Sequence, residues 1–197
     1  MSRYLFSPDP PIQLKTGPYV FWENGFSDED IENIIALGKH RNPLQAQVQG
    51  GRVVKDIRIS NISWIDLQED SEWLYDRIAY IIKTLNFQYY KFDLSGFYEH
   101  MQFTIYEGNE LGHYDWHLDI GAENVPPRKL SFVLQLSDAE DYEGGDLQIM
   151  NSVNPVTIKK EKGFGVLFPS YTLHRVTPIT KGVRKTLVVW VTGPAFR

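Results

Sequence analysis

Cysteine is absent from the 197-residue chain. Disulfides, thiolate metal sites and cysteine nucleophiles are therefore excluded, and a metal could be held only by His, Asp, Glu or backbone oxygen. No apolar run approaches the roughly 20 residues that a membrane span needs. The polar opening segment, with Pro8, Pro10 and Pro11, has no apolar stretch of the secretory type. The expectation is a cytoplasmic protein without a membrane partner. Basic residues are not in excess either: 20 Lys and Arg stand against 25 Asp and Glu, a net charge of −5. No broad basic face is available for phosphate backbones, which argues against nucleic-acid partners. Internal repeats and low-complexity tracts are likewise missing.

Apolar residues are plentiful, at 42% hydrophobic and 14% aromatic. That composition is globular, and the length favours a single domain over 1–197. A helical N-terminal part is expected over about 20–90 and a β core over about 95–192. Ser27 before Asp28, Glu29 and Asp30 reads as a helix start, with a hydroxyl cap and acids on the positive end of the dipole. Ile31, Ile34, Ile35 and Gly38 follow at helical spacing. A second helix is predicted from about Ser71 to Leu85, with Trp73, Leu74, Ile78, Ile81, Ile82 and Leu85 as its apolar stripe. Strands are predicted at Gly96–Tyr106, Leu130–Leu136, Asp146–Met150, Pro155–Ile158, Gly165–Phe168 and Arg184–Thr192, with turns at Gly144-Gly145 and Lys162-Gly163. Helices first and many strands afterwards suggest a mainly β fold with helices packed on one face of an antiparallel sandwich or barrel.

The segment Tyr114-Asp-Trp-His117-Leu-Asp119 carries the chemistry. Side chains two apart in a strand share a face, so His117 and Asp119 can address one ion. His174, in Phe168-Pro-Ser-Tyr-Thr-Leu-His174-Arg-Val-Thr-Pro, offers a third ligand. Two histidines and a carboxylate on one face leave positions open, as in non-haem iron(II) oxygenases. His-x-Asp alone is a weak signal, and His40, His100 and His113 read as ordinary histidines. Arg184 opens the last strong strand. A buried arginine beside a metal is costly without a partner, and a dicarboxylate co-substrate would supply one through the fork of the guanidinium; the alternative is a surface arginine beside Lys185. Arg184, Thr186, Val188 and Trp190 share one face, and Leu187, Val189 and Val191 the face turned to the helices. Tyr98, His100, Gln102, Thr104 and Tyr106 form a polar face opposite Met101, Phe103 and Ile105, which reads as a pocket wall or as a sheet face open to water. Ser131, Val133 and Gln135 lie opposite Leu130, Phe132, Leu134 and Leu136.

These motifs, together with Tyr142-Glu-Gly-Gly-Asp-Leu and Gly182-Val-Arg184, resemble the 2-oxoglutarate- and Fe(II)-dependent oxygenases of the prolyl 4-hydroxylase type, bacterial and bacteriophage members included. The resemblance covers about Val20 to Val191 and is strongest from Gln102 to Trp190. It implies a double-stranded β-helix (jelly roll, cupin-like) with the N-terminal helices on its major sheet. It implies iron(II) on His117, Asp119 and His174, with 2-oxoglutarate and O₂ as co-substrates, and ascorbate as an aid to turnover. Arg184 would bind the far carboxylate of 2-oxoglutarate and Tyr106 would hydrogen-bond the co-substrate. Gln135 stands where some of these hydroxylases carry a co-substrate tyrosine. Trp190, Arg128 and Tyr114 would face the substrate. The reaction implied is C–H hydroxylation, at a prolyl or other residue of a peptide or protein, with release of succinate and CO₂; a free amino acid or other small molecule is the alternative substrate. The related nucleic-acid demethylases carry a second arginine where this chain has Trp190, which argues against base repair.

Two further classes fit parts of the pattern. A zinc or manganese hydrolase or isomerase on a similar barrel would use the same three ligands but not Arg184. A non-enzymatic jelly-roll binding module would bind no stoichiometric metal. The segments Asn42–Val54 and Asp138–Gly144 are expected to act as lids. The oligomeric state is not encoded in any motif.

Overall fold

The computed structural model describes residues 17–41, 44–46, 54, 56–121, 127–151 and 153–195. The proline-containing opening segment and most of the expected lid at Asn42–Val54 lie outside the described residues.

The helices form where the cap and stripe signals put them. Helix α1 (Asp28–His40) starts on a reciprocal capping box: Ser27 Oγ accepts the Asp30 N–H, and the Asp30 carboxylate accepts the Ser27 N–H at 2.8 Å. Helix α2 (Glu72–Leu85) buries Leu74, Ile78, Ile81, Ile82 and Leu85. Ser71 does not cap it. Its hydroxyl closes the preceding turn instead, donating to the Asp66 carbonyl at 2.7 Å and accepting the Gln68 N–H at 2.9 Å. A π-helical turn over Asn86–Tyr90 continues α2 and ends on Lys91 in the left-handed region.

Strands follow in two antiparallel sheets. One has the order β1 (Val20–Trp22), β11 (Gly165–Pro169), β7 (Arg128–Gln135), β13 (Ile179–Thr192), β5 (Met101–Glu107), β4 (Asn61–Ile65), β2 (Leu44–Gln45), with β8 (Tyr142–Gly144) on the far end of β13. The other has the order β10 (Asn154–Thr157), β9 (Leu147–Asn151), β12 (His174–Val176), β6 (His113–His117), β3 (Arg58–Ile59). This is the expected two-sheet, double-stranded β-helix with helices on the outside of the larger sheet.

The period of two in the central strands sorts residues between two cores. Leu130, Phe132 and Leu134 of β7, Leu187, Val189 and Val191 of β13, and Leu167 of β11 pack with Ile31, Ile34, Leu74, Ile78 and Ile81 of the helices. Val133, Val166 and Phe168 point the other way and join Leu147, Ile149, Val176 and Ile179 between the sheets.

Four expectations change. The N-terminal part is not purely helical, because β1, β2 and β4 are woven into the larger sheet and β3 into the smaller. The strand predicted from Gly96 begins at Met101; Gly96, at φ 134°, makes only an isolated bridge to Thr192, and Tyr98 is exposed instead of lining a face. Strand β13 starts five residues before Arg184, where Gly182 at φ 76° passes so close to the Asp141 carbonyl that no Cβ fits. The expected lid at Asp138–Gly144 is a short 3₁₀ turn followed by β8, hydrogen-bonded to β13 and absent from the cavity wall.

Helix α1 docks on the sheet through Gly38. Its carbonyl accepts the Ser63 hydroxyl at 2.6 Å, and a Cβ there would overlap the Phe103 ring. Alanine would gain about 1 kcal/mol of helix propensity but lose about 1–3 kcal/mol to overpacking. Gly38→Ala is therefore expected to lower stability by on the order of 1 kcal/mol in a urea titration; a rise in the midpoint would mean that α1 sits farther from the sheet.

Candidate metal centre

His117 is the last residue of β6, and Asp119 falls two residues beyond the strand end. The shared-face argument thus reaches the right pair, but a turn and not a ladder positions the carboxylate. The Asp119 N–H donates to the Ser170 carbonyl at 2.8 Å, tying it to the end of β11. Strand β12 lies between β6 and β9 and sets His174 opposite His117.

Both imidazoles are oriented in the same way. Nδ1 of His117 lies 2.7 Å from the Asp115 carbonyl, and Nδ1 of His174 lies 2.8 Å from that of Thr172. A carbonyl only accepts, so each Nδ1 carries the proton and each Nε2 is left as the ligand atom. These Nε2 atoms sit 3.6 and 3.4 Å from the two Asp119 oxygens, and the three ligand atoms lie within 4.8 Å of one another. Ser131 Oγ donates to Asp119 Oδ2 at 2.8 Å and lies 3.0 Å from Ser170 Oγ. The arrangement is that of a metal site with its outer hydrogen bonds already in place.

The electrostatics agree. Burial would raise the Asp119 carboxyl, but the imidazoles of His174 and His117 outweigh it and hold the group well below the usual carboxylate range. Burial and the neighbouring His174 push His117 down to about 4, so it is neutral near pH 7. Burial alone would lower His174; the charge and hydrogen bond of Asp119 win and raise it. Without a metal, the ion pair of His174 and Asp119 balances the charge of the buried carboxylate.

The three ligands open into a cavity of about 1100 Å³. Arg184 lines it, 1% exposed, with Nη2 donating to Gln135 Oε1 at 3.1 Å and with its Nε lacking any acceptor. Its guanidinium carbon stands 5.5 Å from the Tyr106 ring centroid. Arg184, Tyr106 and Gln135 are thus brought together on β13, β5 and β7. The arginine has no carboxylate partner among the described residues, which fits a dicarboxylate ligand. Tyr114 stacks on His117 with 3.4 Å between ring centroids. Trp190 also lines the cavity, where its indole helps to hold the Asp119 carboxylate ionised. Arg128 lies over that ring at 3.7 Å and is bound by both oxygens of Glu99, so its charge is already matched.

Comparison with known proteins agrees with this geometry. Residues 101–192 match the 2OG-Fe(II) oxygenase superfamily. The matched stretch, just under half of the chain, contains His117, Asp119, His174 and Arg184 and is similar to that superfamily. A PKHD-type hydroxylase of Janthinobacterium sp. (strain Marseille) is 36% identical over 95 residues, covering 45% of this chain and 41% of that protein. One of Synechococcus sp. (strain CC9311) is 38% identical over 90 residues, covering 46% and 41%. The chain spans less than half the length of these curated relatives. Among solved structures, a Pseudomonas putida prolyl-4-hydroxylase superposes with a TM-score of 0.73 at 21% identity, covering 92% of this chain and 96% of that one. The Trichoplax adhaerens prolyl hydroxylase in complex with a hypoxia inducible factor oxygen degradation domain peptide gives 0.76 at 20% identity, covering 92% and 86%. These two likenesses establish a shared fold.

Several residues of the candidate site carry no signal in the sequence. Asp115 and Thr172 act through backbone carbonyls, which any residue offers. Ser131 could be placed on the inward face of β7, but not against Asp119. Glu99, Trp64 and Arg58 reach the cavity from irregular or very short elements without periodicity.

Iron(II) must displace the proton that His174 carries in the metal-free site. A raised His174 pKa means that this proton is held through and above pH 6.5, so affinity should climb with pH across that range, by about tenfold per unit while one proton is displaced. Calorimetric titration in two buffers of different ionisation enthalpy should show about one proton released per metal near pH 6.5. Affinity independent of pH would show that no proton on His174 competes with the metal. Ser131→Ala should weaken the metal roughly 10–100-fold in the same titration.

Proposed function

We propose that the protein is an iron(II)- and 2-oxoglutarate-dependent dioxygenase that hydroxylates a prolyl residue of a peptide or protein, releasing succinate and CO₂. One observation carries this reading: a two-histidine, one-carboxylate cluster shares its cavity with a buried arginine that has no carboxylate partner among the described residues. A metal hydrolase or isomerase would need the cluster but leaves Arg184 without a purpose. Bound iron would supply O₂ activation coupled to oxidative decarboxylation of the keto acid.

The chain's own residues have separate tasks. His117, Asp119 and His174 hold the metal through Nε2, carboxylate and Nε2. Arg184 takes the far carboxylate of 2-oxoglutarate, using the donors that Gln135 leaves free. Gln135 fixes the guanidinium plane, and Tyr106 closes one side of it. Phe168, whose ring lies 4.7 Å from that of His174, keeps water from the floor. Arg128, clamped by Glu99, supports the Trp190 ring that faces the substrate. Tyr114 offers a flat aromatic wall beside the metal.

The mouth supports a peptide. Leu44, Ile57, Trp64, Leu118 and Ile120 line it and are more than a third exposed. A chain laid across these side chains would bury them around one inserted residue. The similarity to a hydroxylase solved with a peptide bound points the same way. We also place the protein in the cytoplasm, as expected from the sequence.

Anaerobic addition of Fe(II) and then 2-oxoglutarate should produce a saturable visible charge-transfer band at one equivalent. His174→Ala should abolish it. Arg184→Ala should weaken 2-oxoglutarate by roughly 10–100-fold, the loss of a charge-assisted bidentate contact. Iron bound without the band would indicate other metal chemistry, and no iron bound would overturn the oxygenase reading.

A further inference from the structure

Four arginines line the cavity: Arg41, Arg58, Arg128 and Arg184. Three have a stated counter-charge or co-substrate. Arg41 is shared between Asp66 and Asp70 at 3.1 and 3.3 Å. Arg128 is clamped by Glu99, and Arg184 serves 2-oxoglutarate in the reading above. Arg58 remains. It is 7% exposed, its Nε donates to Ser60 Oγ at 2.9 Å, and its guanidinium carbon lies 4.6 Å from the Tyr114 ring centroid. Among the described residues no carboxylate comes within ion-pair distance of it.

A hydroxyl and a ring face recover only part of the hydration that a buried guanidinium gives up. The charge balance of the loaded site sharpens the point. Iron(II) and Arg184 together offset Asp119 and dianionic 2-oxoglutarate, while Arg41 and Arg128 are matched by Asp66 and Glu99. Among the groups that line the cavity one positive charge is left over, and it sits on Arg58, whose remaining N–H donors belong to the cavity wall. Its position is close to the chemistry, because Arg58, Tyr114 and His117 form one stack of guanidinium, phenol and imidazole.

We propose that Arg58 is a carboxylate subsite for the primary substrate, separate from the co-substrate site at Arg184. The carboxylate is an Asp or Glu side chain beside the reacting residue of a peptide, or the α-carboxylate of a free amino acid. With only one aromatic layer between Arg58 and His117, the acid belongs to the reacting residue or one near it. The charge balance rests on the oxygenase reading; the burial and missing counter-ion of Arg58 do not.

The test uses full-length protein loaded anaerobically with Fe(II) and 2-oxoglutarate, with binding followed by calorimetry. Probes are capped proline peptides carrying one aspartate at successive positions around the proline, their asparagine counterparts, and free L-proline against L-prolinamide. Wild type should favour one acid over its amide by about tenfold or more, as expected for a charge-assisted contact. The pair that shows the preference identifies the source of the carboxylate. The ratio should fall below about twofold in Arg58→Gln and be partly kept in Arg58→Lys, which retains charge but not the fork. Removing an uncompensated cation should not lower the melting temperature of Arg58→Gln. Should that variant fold poorly, the ratio in Arg58→Lys must still fall below that of wild type. Equal binding of acid and amide in every pair, or a preference that Arg58→Gln keeps, overturns the proposal. A wild type without the keto-acid band sinks the oxygenase reading instead, and the acid-to-amide ratio on that same protein still decides Arg58.

Discussion

The two-residue period of β13 is the constraint on which both the core and the site depend. One face of this 14-residue strand gives Leu187, Val189 and Val191 to the helices, and the other gives Arg184, Thr186, Val188 and Trp190 to the cavity. A slip of one residue would bury the polar set under the helices and expose the apolar set to the pocket. Pairing with β5 on one side and β7 on the other, in register over six residue pairs each, prevents that slip. The force that holds α1 and α2 on the sheet is therefore also the force that aims Arg184 inward.

Charge organises the cavity once the strands have shaped it. Asp119 is buried, and its two imidazole neighbours keep it ionised. Its hydrogen bonds to Ser131 and through its N–H to Ser170 link the ends of β7 and β11, so the carboxylate is held by the larger sheet while both histidines come from the smaller one. The metal centre thus sits where the two sheets meet, and a bound metal would cross-link them. The arginines divide by the same logic. Those with a carboxylate in the chain, Arg41 and Arg128, brace the mouth, while those without one, Arg58 and Arg184, have donors to spare for ligands.

Much of this was legible from residue patterns. Ser27 and its acids marked α1, the 3.6-residue stripe marked α2, and alternation marked β5, β7 and β13 with the correct face inward. His117, Asp119 and His174 were legible as candidate ligands and Arg184 as a companion, because few residue types suit that chemistry, and the structure brings all four to one cavity. Strands of two or three residues, such as β2, β3 and β12, were not legible, since a period of two cannot be seen in so short a run. Gly96 hid the late start of β5, and the pairing of Arg128 with Glu99, 29 residues away, has no signature in the sequence.

The order of residues along the chain determined the local elements, the face that each long strand would bury, and the donor types available to a metal. Those properties depend on neighbours within a few positions, through backbone geometry and hydrophobic period. Only the tertiary structure decided that Nε2 is the free nitrogen that both histidines turn toward Asp119, that Ser131 holds Asp119, that Asp138–Gly144 is pinned to β13, and that Arg58 has no counter-charge among the described residues. Each of these depends on which groups from distant segments arrive within hydrogen-bonding or Coulomb range, and that distance is set by the packing of the two sheets.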